Sequence, residues 1–541
     1  MTSLVSASPQ IILATLNAKY IHASLGLRYL LANMATHGGE DLRARTVLRE
    51  FTVARPVEEI VAALLKELGD ATVTDAPTET QIIGFGVYIW NVTATTEVVR
   101  RLKLARPALL IVLGGPEVSY EHEAQEIVKL ADFLVTGWGD VSFAKLCRSL
   151  ILGPRPLMKV HVGEQPALSE IVMPYAEYNE DDLAHRLLYV EASRGCPFKC
   201  EFCLSSLDKT AWAFPLDTFL HELDTLFQRG ARNFKFVDRT FNLKIDASAR
   251  ILEFFLERLC PELFLHFEVI PDHLPERLKL LIARFPQGVL QFEIGIQSFN
   301  ETVQQTISRR QDNLQTEENL RWLLGHSEAH LHTDLIFGLP GETLASFALG
   351  FDRLHALHPH EIQLGILKRL RGTPIIRHTE VFGMRYDTQP PYVVQETGVV
   401  DVATMQAFTR LARYWDLIAN SGRFKNSLPM VMTGPSAFAA FQHFADWLWA
   451  STQATSGLTP EQLTDAIFDY ACTVLAMPST EVSARLLADY IASGARGNPQ
   501  CLRGQFERPL PRAKENKLAQ RQARHLEGDV AFAARRVAST N

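Results

Sequence analysis

The chain has 541 residues, which is too long for one compact core and predicts two to four domains. With 47% hydrophobic and 21% charged residues it has the composition of an ordinary globular protein, and a net charge of -7 gives no support to general nucleic-acid binding. No uninterrupted apolar stretch is long enough to span a membrane, and the N-terminus lacks the pattern of a secretory signal. With only seven cysteines, these features favour a cytoplasmic protein.

The first part of the chain alternates short apolar runs with helical patterns. Continuous apolar strands separated by helices are typical of a parallel sheet covered on both faces. Five strands suit a doubly wound sheet of flavodoxin type, which binds ligands beyond the carboxyl ends of its strands. We therefore predict an α/β domain at residues 1–150. Its strand candidates are residues 10–16, 43–50, 81–87, 108–115 and 131–137, with helical periodicity at 56–69 and 92–105.

Residues 151–182 contain four prolines and a run of acidic residues, which indicates a linker. Six βα repeats follow, which are too few for a closed eight-fold barrel but enough for a curved partial one with its chemistry at the strand ends. We place this partial barrel at residues 183–385, a mainly helical accessory region at 386–510 and a polar tail at 511–541. The strand candidates are residues 186–193, 233–238, 263–270, 288–296, 330–338 and 361–367. Aromatic residues at 438–450 favour core packing over a cofactor site.

Three cysteines, Cys196, Cys200 and Cys203, lie within eight positions directly after the first barrel strand. Zinc knots built from four cysteines usually pair two C-x2-C hooks, and the sequence has no second hook. Three thiolates on one loop suit three corners of a [4Fe–4S] cube, whose fourth iron stays open to an outside ligand. Arg194 is close in sequence and would stabilise the charge of a reduced cluster. Chance crowding and a zinc site completed by a distant histidine are the alternatives.

The cysteine loop, with Phe202 directly before the third cysteine, resembles that of the radical S-adenosylmethionine (SAM) enzymes. In that family, the methionine amine and carboxylate of SAM chelate the open iron. One electron from the cluster then cleaves a carbon–sulfur bond and yields a 5′-deoxyadenosyl radical. The resemblance implies that the three cysteines are both metal ligands and catalytic residues. It also implies an external electron donor, such as a flavodoxin or a ferredoxin.

The resemblance continues at the ends of the later barrel strands, in FVDRTFN (236–242), FEIGIQS (292–298), TDLIFGLPGET (333–343) and LGILKRLRGT (364–373). Two of the implied residues are glycines that would permit a tight turn beside the adenine. The carboxylates among them are equally well explained as structural ion pairs. The SAM site implied by the resemblance includes Phe202, Asp238, Thr240, Glu268, Glu293, Gln297, Gly338, Gly341 and Lys368.

The N-terminal region carries paired glycines after a buried strand, which let a flat ligand approach the backbone. It resembles the cobalamin-binding domain that precedes the barrel in one radical SAM subgroup, in residues 13–30, YIWN (88–91), LGGPE (113–117) and TGWGD (136–140). The D-x-H-x-x-G pattern that places a histidine under the cobalt is absent, and His22 has the wrong spacing, so the resemblance implies histidine-off cobalamin. The implied site residues are Asn17, Tyr88, Gly114, Gly115, Pro116 and Gly137.

Together these resemblances imply a radical SAM enzyme that uses a [4Fe–4S] cluster, SAM and cobalamin, most simply a methyltransferase acting on an unidentified substrate. One alternative is a radical SAM enzyme with a vestigial corrin domain that performs methylthiolation or a rearrangement, although a second cysteine trio for an auxiliary cluster is missing. The other is a structural iron–sulfur or zinc module without catalysis. Such a module needs none of the strand-end carboxylates and glycines. We expect no membrane partner and do not favour nucleic acid as one.

Overall fold

The structure is a computed structural model that describes residues 10–69, 80–208, 210–505 and 524–525. The polar tail predicted at 511–541 therefore lies outside the described residues, except for residues 524–525. Among the described residues, no helix is long and apolar enough to cross a membrane.

The N-terminal domain is a parallel sheet with helices on both faces. Its strands are β1 (Ile11–Asn17), β2 (Thr46–Thr52), β3 (Ile82–Gly86), β4 (Leu110–Gly114), β5 (Phe133–Thr136) and β6 (Val160–Val162). Its helices are α1 (Leu25–Gly38), α2 (Glu40–Ala44), α3 (Val57–Glu67), α4 (Val92–Ala105), α5 (Glu126–Leu130) and α6 (Ser142–Leu152). The strand order β2-β1-β3-β4-β5-β6 confirms the doubly wound, flavodoxin-like topology. Strands β1 and β3 are buried along their whole length, which explains their continuous apolar runs.

The sixth strand of this sheet lies within the residues predicted as a linker. β6 pairs with β5 in parallel, with Val160 opposite Leu134 and Val162 opposite Thr136. It was missed because an edge strand of three residues carries no buried apolar run: Val160 is half-buried and Val162 is exposed.

The partial barrel is a second parallel sheet of six strands. The strands of this region are β7 (Leu188–Val190), the short pair β8 (Ser193–Arg194) and β9 (Trp212–Ala213), β10 (Asn233–Phe236), β11 (Phe264–Val269), β12 (Leu290–Gln297), β13 (His330–Phe337) and β14 (Glu361–Ile366). The helices are α7 (Glu180–His185), α8 (Leu216–Gln228), α9 (Ile245–Leu256), α10 (Glu276–Ile282), α11 (Glu301–Thr306), α12 (Asn313–His326) and α13 (Leu344–His355). The sheet order β14-β13-β12-β11-β10-β7 follows the chain, as predicted for consecutive βα units.

The C-terminal region is mainly helical and packs against the end of the barrel. It contains the short strands β15 (Arg385–Tyr386) and β16 (Val394–Glu396), then α14 (Val402–Ile418), α15 (Leu428–Val431), α16 (Ala437–Thr452), α17 (Pro460–Thr473) and α18 (Ser479–Ala492). Phe408 stacks on Phe337 with ring centroids 4.2 Å apart, and the Trp415 indole Nε1 donates to the Ile362 carbonyl oxygen at 2.8 Å. The aromatic residues of this region therefore belong to a core shared with the barrel.

Candidate active site

The three clustered cysteines follow β7 and line one cavity of about 280 Å³ at the carboxyl edge of the barrel. Cys196 and Cys200 are buried and Cys203 is half-buried. Burial raises the pKa of Cys196 to about 11 and also raises the pKa of Cys200, so bound metal would be needed to hold them as thiolates. Within the described residues, no three His, Cys, Asp or Glu side chains converge where one metal ion would bind. Three thiols that line one cavity are the ligand type that iron–sulfur clusters use.

One of the three thiols is in contact with a cation, Arg309. The Nη1 atom of Arg309 lies 3.6 Å from the Cys200 Sγ atom. The Arg194 guanidinium instead turns toward the N-terminal domain, where Nη1 pairs with Asp140 Oδ2 at 2.9 Å, while Nε pairs with Glu191 Oε1 at 2.7 Å. The guanidinium predicted to stabilise the cluster is therefore engaged with Asp140 and Glu191. Arg309 follows α11 and is distant in sequence from the cysteines, so no pattern indicated it.

Three carboxylates from neighbouring strands, Glu268, Glu293 and Asp334, line the same cavity. Glu293 Oε2 accepts hydrogen bonds from Lys235 Nζ at 3.1 Å and from His266 Nε2 at 3.0 Å. Although burial opposes ionisation, His266 and Lys235 together lower the pKa of Glu293. Burial raises the pKa of Glu268 and of Asp334, so the cavity combines an ionised carboxylate with acids that are harder to ionise. Asp334 was missed, although it lies in the predicted segment 333–343.

The end of β12 is strained where it borders the cavity. Gln297 has a φ of 70°, and its buried Oε1 atom has no hydrogen-bond partner. The register of β12 and β13 shifts between Gly295 and Gln297, and a Cβ added at Gly295 would lie 2.4 Å from Gln297 Nε2. A bulge with an unpaired amide oxygen beside a cavity is the kind of strain found at ligand sites. The residues present therefore fit a polar ligand bound against the cysteine loop.

Eight of the residues predicted for the cluster and the SAM site line this cavity. They are Cys196, Cys200, Cys203, Phe202, Thr240, Glu268, Glu293 and Gln297. Asp238, Gly338, Gly341 and Lys368 do not line it. Lys368 forms a bridge with Val393 at the start of the C-terminal region. Gly338 and Gly341 have φ angles of 86° and 80°, which fits the tight turn predicted there.

Asp238 lies behind the cysteine loop and is buried. Its Oδ2 atom accepts from the Ala192 backbone N–H at 2.9 Å, and its Oδ1 atom accepts from Ser193 Oγ at 2.5 Å. Burial raises the pKa of Asp238 to about 7. The carboxyl group is thus placed to hold the chain just before Cys196.

A second cavity of about 330 Å³ lies at the carboxyl edge of the N-terminal sheet. Of the residues predicted for cobalamin, Tyr88, Gly114, Gly115 and Gly137 line it, whereas Asn17 and Pro116 do not. Asn17 instead uses Nδ2 to donate to Glu50 Oε1 at 2.9 Å. Glu191 and Arg194, which follow β7 of the barrel, also line this cavity. The residues just before the cysteine loop therefore form part of its wall.

The second cavity is lined by glycines and, among the described residues, by no histidine. Gly137 has open space where a Cβ would lie, whereas a Cβ at Gly115 would be 2.5 Å from the Val87 carbonyl oxygen. His22 hydrogen-bonds through Nδ1 with the Tyr189 hydroxyl at 2.8 Å. An open, glycine-lined wall fits a broad flat ligand that receives no histidine from below.

Family models match three successive parts of the chain. The model of the B12 binding domain matches residues 11–147, and that of the radical SAM superfamily matches residues 190–349. A third model, described as a protein of unknown function (DUF4080), matches residues 380–536. The matches confirm the resemblance drawn from the sequence: the chain carries a B12 binding domain, then a radical SAM domain, then an accessory region.

Curated relatives share parts of this arrangement. The uncharacterised methyltransferase PH0819 of Pyrococcus horikoshii is 31% identical over 199 residues, which cover 30% of this chain and 43% of that protein. The cobalamin-dependent radical SAM methyltransferase TokK of Streptomyces tokunonensis is 24% identical over 398 residues, which cover 66% of this chain and 56% of that protein. The chain thus spans roughly half the length of these relatives.

Solved structures show the same fold. OxsB, a cobalamin-dependent S-adenosylmethionine radical enzyme with aqua-cobalamin and SAM bound, aligns with a TM-score of 0.58 at 14% identity, covering 96% of this chain and 83% of that chain. The radical SAM methyltransferase TsrM from Kitasatospora setae, with cobalamin and a [4Fe–4S] cluster bound, aligns with a TM-score of 0.52 at 16% identity, covering 73% and 82%. At such identities the likeness establishes the fold.

Proposed function

We propose that this protein is a radical SAM enzyme that binds a [4Fe–4S] cluster, SAM and cobalamin, and that it methylates an unidentified substrate. The observation that carries the proposal is the pairing of two cavities across the cysteine loop. Cys196, Cys200 and Cys203 line one cavity, and Arg194, two positions before the first cysteine, lines the other. When bound, the three groups supply one-electron reduction, radical generation and methyl transfer.

On the barrel side, the three cysteine thiolates would hold the cluster, with the Arg309 guanidinium offsetting part of their charge. Gln297 and Thr240 offer polar groups to SAM from the same wall. Glu293, kept ionised by Lys235 and His266, would accept hydrogen bonds from a SAM amine or hydroxyl.

On the N-terminal side, Gly114, Gly115 and Gly137 would form the wall against the corrin, with Tyr88 at its edge. The cobalt would receive no histidine, since His22 is engaged with Tyr189. Enclosure between the two domains would exclude water from the reacting groups.

The proposal also includes an electron donor and a cellular location for the enzyme. A cluster that must be reduced needs an external one-electron donor, for which a flavodoxin or ferredoxin is the simplest candidate. The clustered thiols require reducing conditions, which supports a cytoplasmic location.

The proposal is tested by anaerobic incubation of the reconstituted protein with SAM, cobalamin, a reductant and an extract of candidate substrates. We expect both 5′-deoxyadenosine and S-adenosylhomocysteine. Formation of 5′-deoxyadenosine alone would replace methyl transfer by other radical chemistry, the reaction expected with a vestigial corrin domain. If a protein with full iron content formed neither product, the assignment would be overturned. Cys200→Ala serves as the inactive control, and Cys260→Ala, which is remote from the cavity, as the active one.

A further inference from the structure

Of the two residues between the second and third cysteines, the first has a buried carboxylate. Glu201 is only 3% exposed, and its oxygens accept hydrogen bonds from three donors. Ser308 Oγ lies 2.5 Å from Oε1, His378 Nε2 lies 2.7 Å from Oε2, and the Arg377 guanidinium also donates to Oε1. A buried carboxylate is tolerated only when it is paired in this way.

The backbone of Glu201 is held by the same two segments as its side chain. Its N–H donates to the Ile307 carbonyl oxygen at 3.0 Å, and its carbonyl oxygen accepts from the Ile375 N–H at 3.0 Å. Ser308 has a φ of 55°, so the turn that presents its hydroxyl is strained. The next residue, Arg309, places Nη1 3.6 Å from Cys200 Sγ. Glu201 thus fixes both the cysteine loop and the cation beside it.

The segment that grips Glu201 also reaches the N-terminal domain. We call residues 369–378 the connecting segment. At its start, Arg371 Nε lies 2.9 Å from Glu117 Oε1, and Arg369 Nη2 lies 2.7 Å from Glu121 Oε2. Glu117 belongs to the LGGPE turn, two positions after Gly115, which lines the second cavity. A single stretch of ten residues therefore joins the cysteine loop to the turn beneath the second cavity.

We propose that Glu201 is a positioning residue: it locks the cysteine loop and Arg309 onto the connecting segment and so holds the two cofactor cavities in register. This inference rests on the proposed function for the identity of the cofactors. The anchoring itself is a property of the protein alone. Replacing the carboxylate by an amide would remove one acceptor oxygen from the three donors and the charge that faces the Arg377 guanidinium, and both segments would loosen together.

The anchoring is tested on the cofactor-free protein by hydrogen exchange. Glu201→Gln keeps the size of the side chain and removes its charge. We expect exchange of amides in 304–309 and 374–378 to speed up about tenfold, the effect of losing one charge-assisted hydrogen bond. The matched control is Glu380→Gln, an exposed glutamate close to the connecting segment. Unchanged exchange in Glu201→Gln would overturn the proposal. If that variant does not fold, His378→Gln is measured against the same expectation and decides.

The link between the cavities is tested on reconstituted protein at equal iron content. In Glu201→Gln, we expect a broadened electron paramagnetic resonance signal of the reduced cluster and a dissociation constant for SAM raised about tenfold. In Glu117→Gln, which touches no cysteine, we expect faster exchange at 369–378 and weaker cobalamin binding. A purely structural carboxylate would change neither the signal at equal iron content nor the binding. If the parent protein took up no cluster, the proposed function would fail while the exchange result on apo protein still stood.

Discussion

At the scale of single residues, the cysteine loop is held in place by side chains that do not line the cavity. Asp238 accepts hydrogen bonds from Ala192 and Ser193, directly before the cysteine loop. Burial raises the pKa of this carboxyl to about 7. Its protonation therefore decides how the start of the loop is held near neutral pH.

The raised pKa of Asp238 predicts a pH-dependent stability. The unfolded chain releases this proton near pH 4 and the folded protein near pH 7, so stability is highest below the first value and falls as pH rises toward the second. The slope reaches up to about 1.4 kcal/mol per pH unit. Asp238→Asn cannot ionise and should lose this component. We expect the melting temperature of the parent, measured on apo protein, to fall relative to that of the variant as the pH rises from 4 to 7, and the two curves to run parallel above pH 7. Parallel curves throughout would contradict the raised pKa.

His22 provides the second prediction at this scale. Its Nδ1 atom is engaged with the Tyr189 hydroxyl at 2.8 Å, and the residue does not line the N-terminal cavity. We expect cobalamin in its Co(II) state, bound to the whole protein, to show no nitrogen superhyperfine splitting in its electron paramagnetic resonance spectrum. His22→Ala should leave that spectrum unchanged. Nitrogen splitting that disappears in His22→Ala would show that the imidazole moves under the cobalt.

At the scale of elements, the turns after the strands decide where ligands can approach. Gly115 and Gly137 follow β4 and β5, and their φ angles are 108° and 70°. Only Gly115 faces backbone: its Cβ would lie 2.5 Å from the Val87 carbonyl oxygen, whereas Gly137 has open space. Alanine substitution at the two positions therefore separates the cost of a positive φ, which both share, from the cost of a steric clash, which only Gly115 has.

We predict that Gly115→Ala destabilises the N-terminal domain much more than Gly137→Ala. Both variants pay the roughly 1 kcal/mol cost of a Cβ at positive φ. Gly115→Ala must also displace the backbone of Val87, directly after β3, which should bring the total to about 3 kcal/mol or more. Thermal melting of the two variants provides the comparison. Equal losses would mean that the turn relaxes around the new methyl group.

The elements themselves were largely predictable, because buried parallel strands are continuous apolar runs such as IILATL and LIVLG. β6 escaped because a half-exposed edge strand has no such run. The position of a residue at a strand end can be predicted, but the direction of its side chain cannot. The Glu293 side chain points into the cavity, whereas that of Asp238 points to the backbone just before the cysteine loop. Arg309 and Glu201 depend on contacts between distant segments, which no local pattern encodes.

At the scale of the whole molecule, the N-terminal domain is fastened to the rest by buried ion pairs. Arg28 of α1 is fully buried and pairs through Nη2 with Glu50 Oε2 at 2.8 Å and with Asp182 Oδ2 at 2.7 Å. Arg186, after α7, pairs with Glu50 Oε2 at 2.8 Å. Because Asp182 and Arg186 lie shortly before β7, the first strand of the barrel, these contacts join the two sheets. The contacts of Arg194 and of the connecting segment provide two further links.

Removing Arg28 should therefore uncouple the domains. Arg28→Ala leaves Glu50 and Asp182 buried with Arg186 as their remaining shared cation. The loss should approach the roughly 3–5 kcal/mol of a broken buried pair without exceeding it. Arg55→Ala breaks an exposed pair with Glu59 on the same domain and should cost less than about 1 kcal/mol. In differential scanning calorimetry of the whole chain, we expect Arg28→Ala to add an early transition for the N-terminal domain, and Arg55→Ala to leave the parent profile in place.

Burial opposes ionisation of Glu50, yet Arg28 lowers its pKa, so in the parent this stabilisation is present at neutral pH and is lost as the pH falls through the pKa of the folded protein. The early transition should accordingly appear in the parent on acidification. A single unshifted transition in Arg28→Ala would show that the other two links suffice to hold the domains together.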